Sequence, residues 1–506
     1  MFFKEAQFVY TLLQSDKNVH WAFCTPLKIC LKALRPWDAV PPPARFPQSE
    51  AKLLKGKLRF PYYVQYYNTN TTGGKYMITV LKSNENIQQK LKQILNRNHT
   101  EQNNAQQIVD DILYNIKKNG NEALFQYTKQ FDGITINEQN IKVTEQEFEY
   151  AYKQVSPELI AVIQKAAKRI RQFHQKQKLN SWLEPSKNGE MMGQLIRPLE
   201  KVGIYVPGGK ASYPSSVLMN AVPAYVAGVS RVVMATPAQK DGRVTPTTLV
   251  AAKEAGVNEI YKVGGAQAIA AFAYGTTCVP KVDKICGPGN IYVALAKKSV
   301  YGQVNIDSVA GPSEILVIAD DSANPVYVAA DMLSQAEHDE MASAMLITDS
   351  ETLAKEVQKQ LQIQTEYLER KNIIQKSLCE YGLIMIVKDM NEACDLGNMI
   401  APEHMEICTK QPFALLPHIQ NAGAIFLGEY TPEPLGDYMA GPNHVLPTGG
   451  TARFFSPLSI DDFIKKSSIL SFSKSAFMNL SDDVITFAQG EGLTAHANAV
   501  KVRKEQ

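Results

Sequence analysis

The spacing of apolar positions changes several times along the chain, and each change predicts an element. Before residue 77 no spacing is sustained: Pro41-Pro42-Pro43 and the tyrosines crowded at 62–67 sit in neither a helical nor an alternating pattern. From Met77 the text becomes regular. Apolar residues at helical spacing predict amphipathic helices over 87–97, 105–119 and 157–178. An α/β rhythm follows, with strands over 202–206, 232–235 and 260–263, helices over 215–228, 249–255 and 266–274, and a strand-loop over 284–290. A second series begins with the strand 314–319. It runs through a helix over 326–336, a strand over 345–348, a helix over 353–361 and a strand over 383–387. Glycine and proline then cluster from 423 to 450, a composition of functional loops rather than a packed element, and the tail over 460–500 reads as helical.

This alternation predicts an α/β protein with two Rossmann-like, doubly wound parallel-sheet domains and helical segments at both ends. The expected divisions are a leader over 1–76 outside the fold and an N-terminal helical segment with the first part of domain 1 over 77–204. Domain 2 follows over 205–313, the remainder of domain 1 over 314–457, and a C-terminal helical segment over 458–506. No repeat of fixed period is visible, although the two α/β series read as distant copies of one plan.

Composition narrows the class. Of the 506 residues 45% are hydrophobic and 20% charged, as in an ordinary soluble protein. No apolar run approaches the roughly 18–20 residues that cross a bilayer, and Met1 to Gln14 lack the plan of a secretory signal. Seven cysteines are scattered without a CxxC pair, which suits a reducing compartment and points to the cytoplasm. The net charge of +3 conceals a division: residues 1–76 hold 11 Lys and Arg against 4 Asp and Glu, and 14 of the 44 aromatic residues. The leader is therefore of another composition than the body. Three readings stand: a targeting peptide, for which serine is scarce; an accessory segment; or sequence upstream of the true start. The third is favoured, because Gly73-Gly74 would be coded where a ribosome-binding site precedes Met77. The mildly acidic body gives no reason to expect nucleic acid or a membrane as partner.

Three kinds of chemistry are suggested. Glycine-rich turns at strand ends, Pro207-Gly208-Gly209, Gly264-Gly265-Ala266-Gln267 and Gly287-Pro288-Gly289-Asn290, lie where open parallel sheets bind ligands, but no GxGxxG follows a strand and such turns are often plain connections. In Ser334-Gln335-Ala336-Glu337-His338 a glutamine and a histidine three residues apart share one helix face. His444, His496 and Asp437 stand in polar loop or terminal contexts. Imidazoles with carboxylate and amide oxygens suit zinc, and the lack of clustered thiols argues against a closed structural site. Each histidine alone reads more readily as a surface or hydrogen-bonded residue. In Ala401-Pro402-Glu403-His404 a carboxylate stands beside an imidazole, a pair suited to acid–base work if a bend lets them converge.

Together, Ile306–Glu314, Gln335–His338, Pro402–His404, Gly436–Thr448 and Glu491–His496 resemble the histidinol dehydrogenase family in order and spacing, over about 77–500. The resemblance implies NAD-dependent oxidation of L-histidinol through histidinal to L-histidine. It implies zinc on Gln335, His338, Asp437 and His496, with Glu403 and His404 as the catalytic pair. Ser313, His444 and Glu491 would contact substrate together with the zinc ligands and His404, and Tyr205, Gln267 and Asn290 would contact NAD. It also implies a homodimer in which the C-terminal segment crosses to the other copy, so that Glu491 and His496 complete the neighbouring site. Two rivals remain at this stage: a zinc hydrolase using the same ligands with Glu403 activating water, and a non-catalytic binding module.

Overall fold

The run Glu314-Ile-Leu-Val-Ile-Ala319 is buried at every position, as a strand covered on both faces must be. It is the centre of one of two parallel sheets. The computed structural model describes residues 78–505 apart from 84–86, 96, 98–101, 209–212 and 310; the leader over 1–76 and Gly209 of the first glycine-rich turn lie outside the described residues. In chain order the strands are β1 (Thr79–Lys82), β2 (Trp182–Pro185), β3 (Glu190–Pro198), β4 (Lys201–Tyr205), β5 (Arg231–Ala235), β6 (Glu259–Tyr261), β7 (Lys284–Cys286) and β8 (Asn305–Ile306). There follow β9 (Glu314–Ala319), β10 (Ser343–Thr348), β11 (Leu383–Ile386), β12 (His404–Cys408), β13 (Ala424–Leu427) and β14 (Ile464–Phe472).

One sheet has the order β6-β5-β4-β7-β8 and the other β1-β11-β10-β9-β12-β13. Every pairing in both is parallel. With β1 set aside as an added edge, each sheet places its own strands third, second, first, fourth, fifth. The two α/β series therefore share one winding plan, reversing direction between β4 and β7 in one sheet and between β9 and β12 in the other. Apolar helices cover them; the helix Gly265–Tyr274, for example, buries eight of its ten residues.

The reading of 423–450 as loops alone is corrected by β13. Its apolar run Ala424-Ile-Phe-Leu427 supplies the edge of the six-stranded sheet beside β12. The all-helical reading of the tail is corrected by β14, which pairs antiparallel with β3 along nine residues, while β3 pairs with β2. Half-exposed strands with serine and lysine at many positions carry too little alternation to announce themselves. The tail then ends in the helices Lys474–Gly490 and Thr494–Lys504.

Candidate active site

Helix Met390–Ile400 stops at Ala401, whose φ of 51° makes it the one non-glycine residue of positive φ among those described. A left-handed residue bearing a Cβ is strained and persists where its surroundings demand it. Here it supplies the bend that sends Pro402-Glu403-His404 into β12, so that His404 is that strand's first residue.

Glu314, first residue of the neighbouring β9, then fixes both members of the pair through its main chain. Its N–H donates to Glu403 Oε2 at 3.0 Å. Its carbonyl oxygen lies 3.0 Å from His404 Nδ1. A carbonyl can only accept, so Nδ1 carries the hydrogen and Nε2 is left with a free lone pair. Nε2 is buried and without a hydrogen-bond partner. It faces Glu433 Oε1 at 4.0 Å and Asp437 Oδ1 at 3.9 Å. Burial pulls the imidazole down to a pKa of about 4, against the opposing charge of Asp437. His404 is thus a neutral imidazole with a bare nitrogen aimed at two carboxyls.

The carboxyls respond differently to their surroundings. Burial pushes Glu433 up to about 9, with Asp437 and the bond to it adding to the rise. Its N–H donates to Glu406 Oε1 at 2.8 Å and its Oε2 accepts from Ser334 Oγ at 3.3 Å. Burial would raise Asp437 as well, but His444, whose Nδ1 stands 3.6 Å from Oδ2, together with His404 and the bond from Glu433 outweighs it and holds Asp437 low. Burial sends Glu403 well above the usual carboxyl range, and the charges of Glu314, Asp437 and Glu433 push the same way.

Gln335 closes the helix Pro325–Ala336 at the same edge, 1% exposed, and its Oε1 has no hydrogen-bond partner. His338, one turn on, keeps some solvent contact; desolvation lowers its pKa, with Asp437 the largest opposing charge. Ser313 directly precedes β9 and uses its carbonyl to accept from the Ser343 N–H at 3.0 Å. A cavity of about 400 Å³ opens beside Asp437, His444 and Phe426. Gln335, His338, Glu403, His404, Asp437 and His444 therefore come together, joined by Glu433. Glu491 and His496 do not: both are exposed on tail helices that pack on each other and on β14.

The glycine-rich turns gather elsewhere. Tyr205, Gln267 and Asn290 line a single cavity of about 370 Å³. The Tyr205 hydroxyl accepts from the Gly265 N–H at 3.0 Å, and Asn290 caps the helix Ile291–Val300 by accepting from the N–H groups of Tyr292 and Val293. Gly287 has φ 117°, and a Cβ there would lie 2.1 Å from the Tyr205 carbonyl oxygen, so only glycine lets this turn approach β4. These residues follow the carboxyl ends of their strands. The His404 cluster instead occupies the amino ends of β9 and β12.

The sequence pattern of the histidinol dehydrogenase family matches residues 95–504. The chain belongs to that family. It is 60% identical over 398 residues to the histidinol dehydrogenase of Heliobacterium mobile, covering 79% of this chain and 93% of that one. The enzyme of Caldanaerobacter subterraneus subsp. tengcongensis is 57% identical over 410 residues, covering 81% and 95%. The crystal structure of histidinol dehydrogenase from Elizabethkingia anophelis superposes with a TM-score of 0.81 at 37% identity, over 86% of this chain and 99% of that one. Membership makes the chain an oxidoreductase of histidine biosynthesis acting on histidinol. Among the described residues no helix is long and apolar enough to cross a membrane.

Sequence reasoning passed over three members of the site. Glu433 stands four residues before Asp437, just outside the Gly436–Thr448 motif, and His404, Glu433 and Asp437 form the one group of described residues whose ligand atoms converge tightly enough for a metal ion. Glu314 was inside a quoted motif but acts through its main chain. Arg97, which pairs with Glu314, carries no local signal at all.

Proposed function

We propose that this chain oxidises L-histidinol to L-histidinal and then to L-histidine, with NAD taken up twice in succession, zinc at the active centre, and two copies of the chain sharing their sites. The observation that carries the reading is the His404 imidazole, locked by the Glu314 carbonyl in the tautomer that leaves Nε2 bare. The donor set fits a cation: among the described residues Gln335 Oε1 and His404 Nε2 are buried and unsatisfied, and two carboxyls face His404 Nε2. Gln335, His338 and Asp437, with His496 from a second copy, would hold zinc, which supplies a Lewis-acid anchor for an imidazole- and amine-bearing alcohol. Tyr205, Gln267 and Asn290 would hold NAD, which accepts the hydrides.

His404 takes the hydroxyl proton at Nε2 as the carbinol carbon loses its hydride. The aldehyde is then hydrated. Glu403 removes a proton from that water while His404 returns its proton to the carbonyl oxygen, which frees Nε2 to act again as base when the hydrate loses the second hydride. The raised pKa of Glu403 makes it a stronger base once ionised, and a cation in the site would draw it back toward ionisation. Ser313 and His444, with Glu491 of the second copy, would orient the substrate. A thiol route to the acid is disfavoured: among the described residues no cysteine lines the cavity beside Asp437, and burial pushes the Cys286 and Cys408 thiols up.

The shared site is supported by the tail. Leu470 is 66% exposed, and Met192 and Trp182, which the register places on the same face of the β14-β3-β2 sheet, are each about half-exposed, an apolar face that a second copy would cover. Counting NADH per histidinol consumed tests the whole reading. Two per substrate, lost on chelation and restored by zinc, is expected; no NADH from the zinc-loaded protein would bring the hydrolase reading forward.

A further inference from the structure

Among the described residues one charged side chain enters the cavity of Tyr205, Gln267 and Asn290, and it comes from the N-terminal helices. Asp132 caps the helix Asn121–Phe131 at its C-terminal end. Its Oδ2 accepts from the Gly264 N–H at 3.2 Å and, more loosely, from Gln267 Nε2 at 3.4 Å. Its Oδ1 accepts no hydrogen bond from a described residue. Burial raises the Asp132 pKa, and those two hydrogen bonds oppose the shift by favouring the charged form. Beside it Phe131 is 50% exposed and Ile108 42%, so the cavity has an apolar wall open to a ligand. Among the described residues no lysine or arginine lines it.

We propose that Asp132 is the residue that selects the cofactor: its carboxylate accepts from the adenosine-ribose hydroxyls of NAD and rejects a dinucleotide phosphorylated there. The proposal rests on the NAD reading above. Two features assign the adenosine half to this cavity. It shares no lining residue with the cavity beside Asp437 and His444, where the nicotinamide must reach the carbinol carbon. Its apolar wall suits the face of a purine. A carboxylate with a free oxygen is a ready acceptor for a ribose hydroxyl, the use to which acidic residues are put in other dinucleotide folds. The same carboxylate, with no lysine or arginine among the described residues of the lining, repels a 2′-phosphate, so discrimination has an attractive and a repulsive part.

The test compares NAD and NADP binding to the full-length protein by ligand-observed NMR, alongside histidinol oxidation, for the native chain, Asp132→Asn and Asp132→Glu. The native chain should prefer NAD. Asp132→Asn should weaken NAD roughly tenfold, the loss of one charge-assisted hydrogen bond, and narrow the gap to NADP, while Asp132→Glu should keep the preference. Unchanged affinities in Asp132→Asn, or equal binding of both dinucleotides by the native chain, would overturn the proposal while leaving NAD as cofactor. A native chain that binds neither removes the NAD reading itself. Should Asp132→Asn fail to fold, NAD lacking the adenosine 2′-hydroxyl decides on the native protein: roughly tenfold weaker binding supports the proposal, equal binding overturns it.

Discussion

Arg97 and Glu314 stand 217 residues apart in sequence and form an ion pair of 3.0 Å with both side chains buried. Arg97 also donates to the carbonyls of Ile94 and Met341, and Glu314 Oε2 accepts from the Gly449 N–H. The pair thus anchors the residue whose main chain holds both Glu403 and His404. Removing one partner strands a buried charge, so Arg97→Met should destabilise by about 3–5 kcal/mol in urea denaturation. Joining it to Glu314→Gln should recover much of that stability but less of kcat, because the backbone anchor is loosened in both. Full recovery of turnover in the double variant would separate the ion pair from catalysis.

Acid should weaken the metal-free protein through His404. Its folded pKa of about 4 lies below the unfolded value near 6.5. The unfolded chain therefore binds the proton first, and the stability contribution, complete above pH 6.5, is lost as pH falls through about 4. The shift corresponds to about 3 kcal/mol. His404→Gln should flatten the denaturation free energy over that window; an unaltered pH slope would mean that the imidazole is not buried neutral.

Glu403→Gln should retain zinc while slowing conversion of histidinal to histidine by roughly 10²–10⁴-fold. Oxidation of histidinol to histidinal should suffer much less. Single-turnover assays started from each substrate give the two rates, and equal losses would end the division of labour between Glu403 and His404.

Mixing subunits tests the exchanged tail. His404→Asn and His496→Asn chains should each be inactive alone. A hybrid dimer would carry one site with both defects and one with neither, so random reassociation of equal amounts should restore about a quarter of native activity. Inactivity after verified exchange would place His496 outside the neighbouring site.

Much of the fold was legible because parallel strands buried on both faces are written as continuous apolar runs, as at 314–319, between helices of regular spacing. The candidate site was legible wherever chemistry sits in side chains along a short motif: Gln335 with His338, Glu403 with His404, Asp437 with His444. What escaped was made of relations rather than residues. The Glu314 carbonyl that sets the His404 tautomer is a main-chain atom that any side chain would carry. Arg97 and Asp132 reach their sites from the N-terminal helices by tertiary packing alone. The antiparallel pairing of β14 with β3 joins segments too exposed to show the alternation that marks a half-buried strand.

The two sheets wind alike but carry their candidate sites at opposite strand ends, one at the carboxyl ends of β4 and β7, the other at the amino ends of β9 and β12. On the proposed reading, a cofactor gripped at the first site and reacting at the second would have to bridge them, and the spacing of the sheets would act as a gauge for its length. A repacked contact between the sheets would misplace the nicotinamide by fractions of an ångström while leaving the grip on adenosine untouched. Such a defect would slow turnover without altering affinity, and its origin would lie far from every residue that touches a ligand.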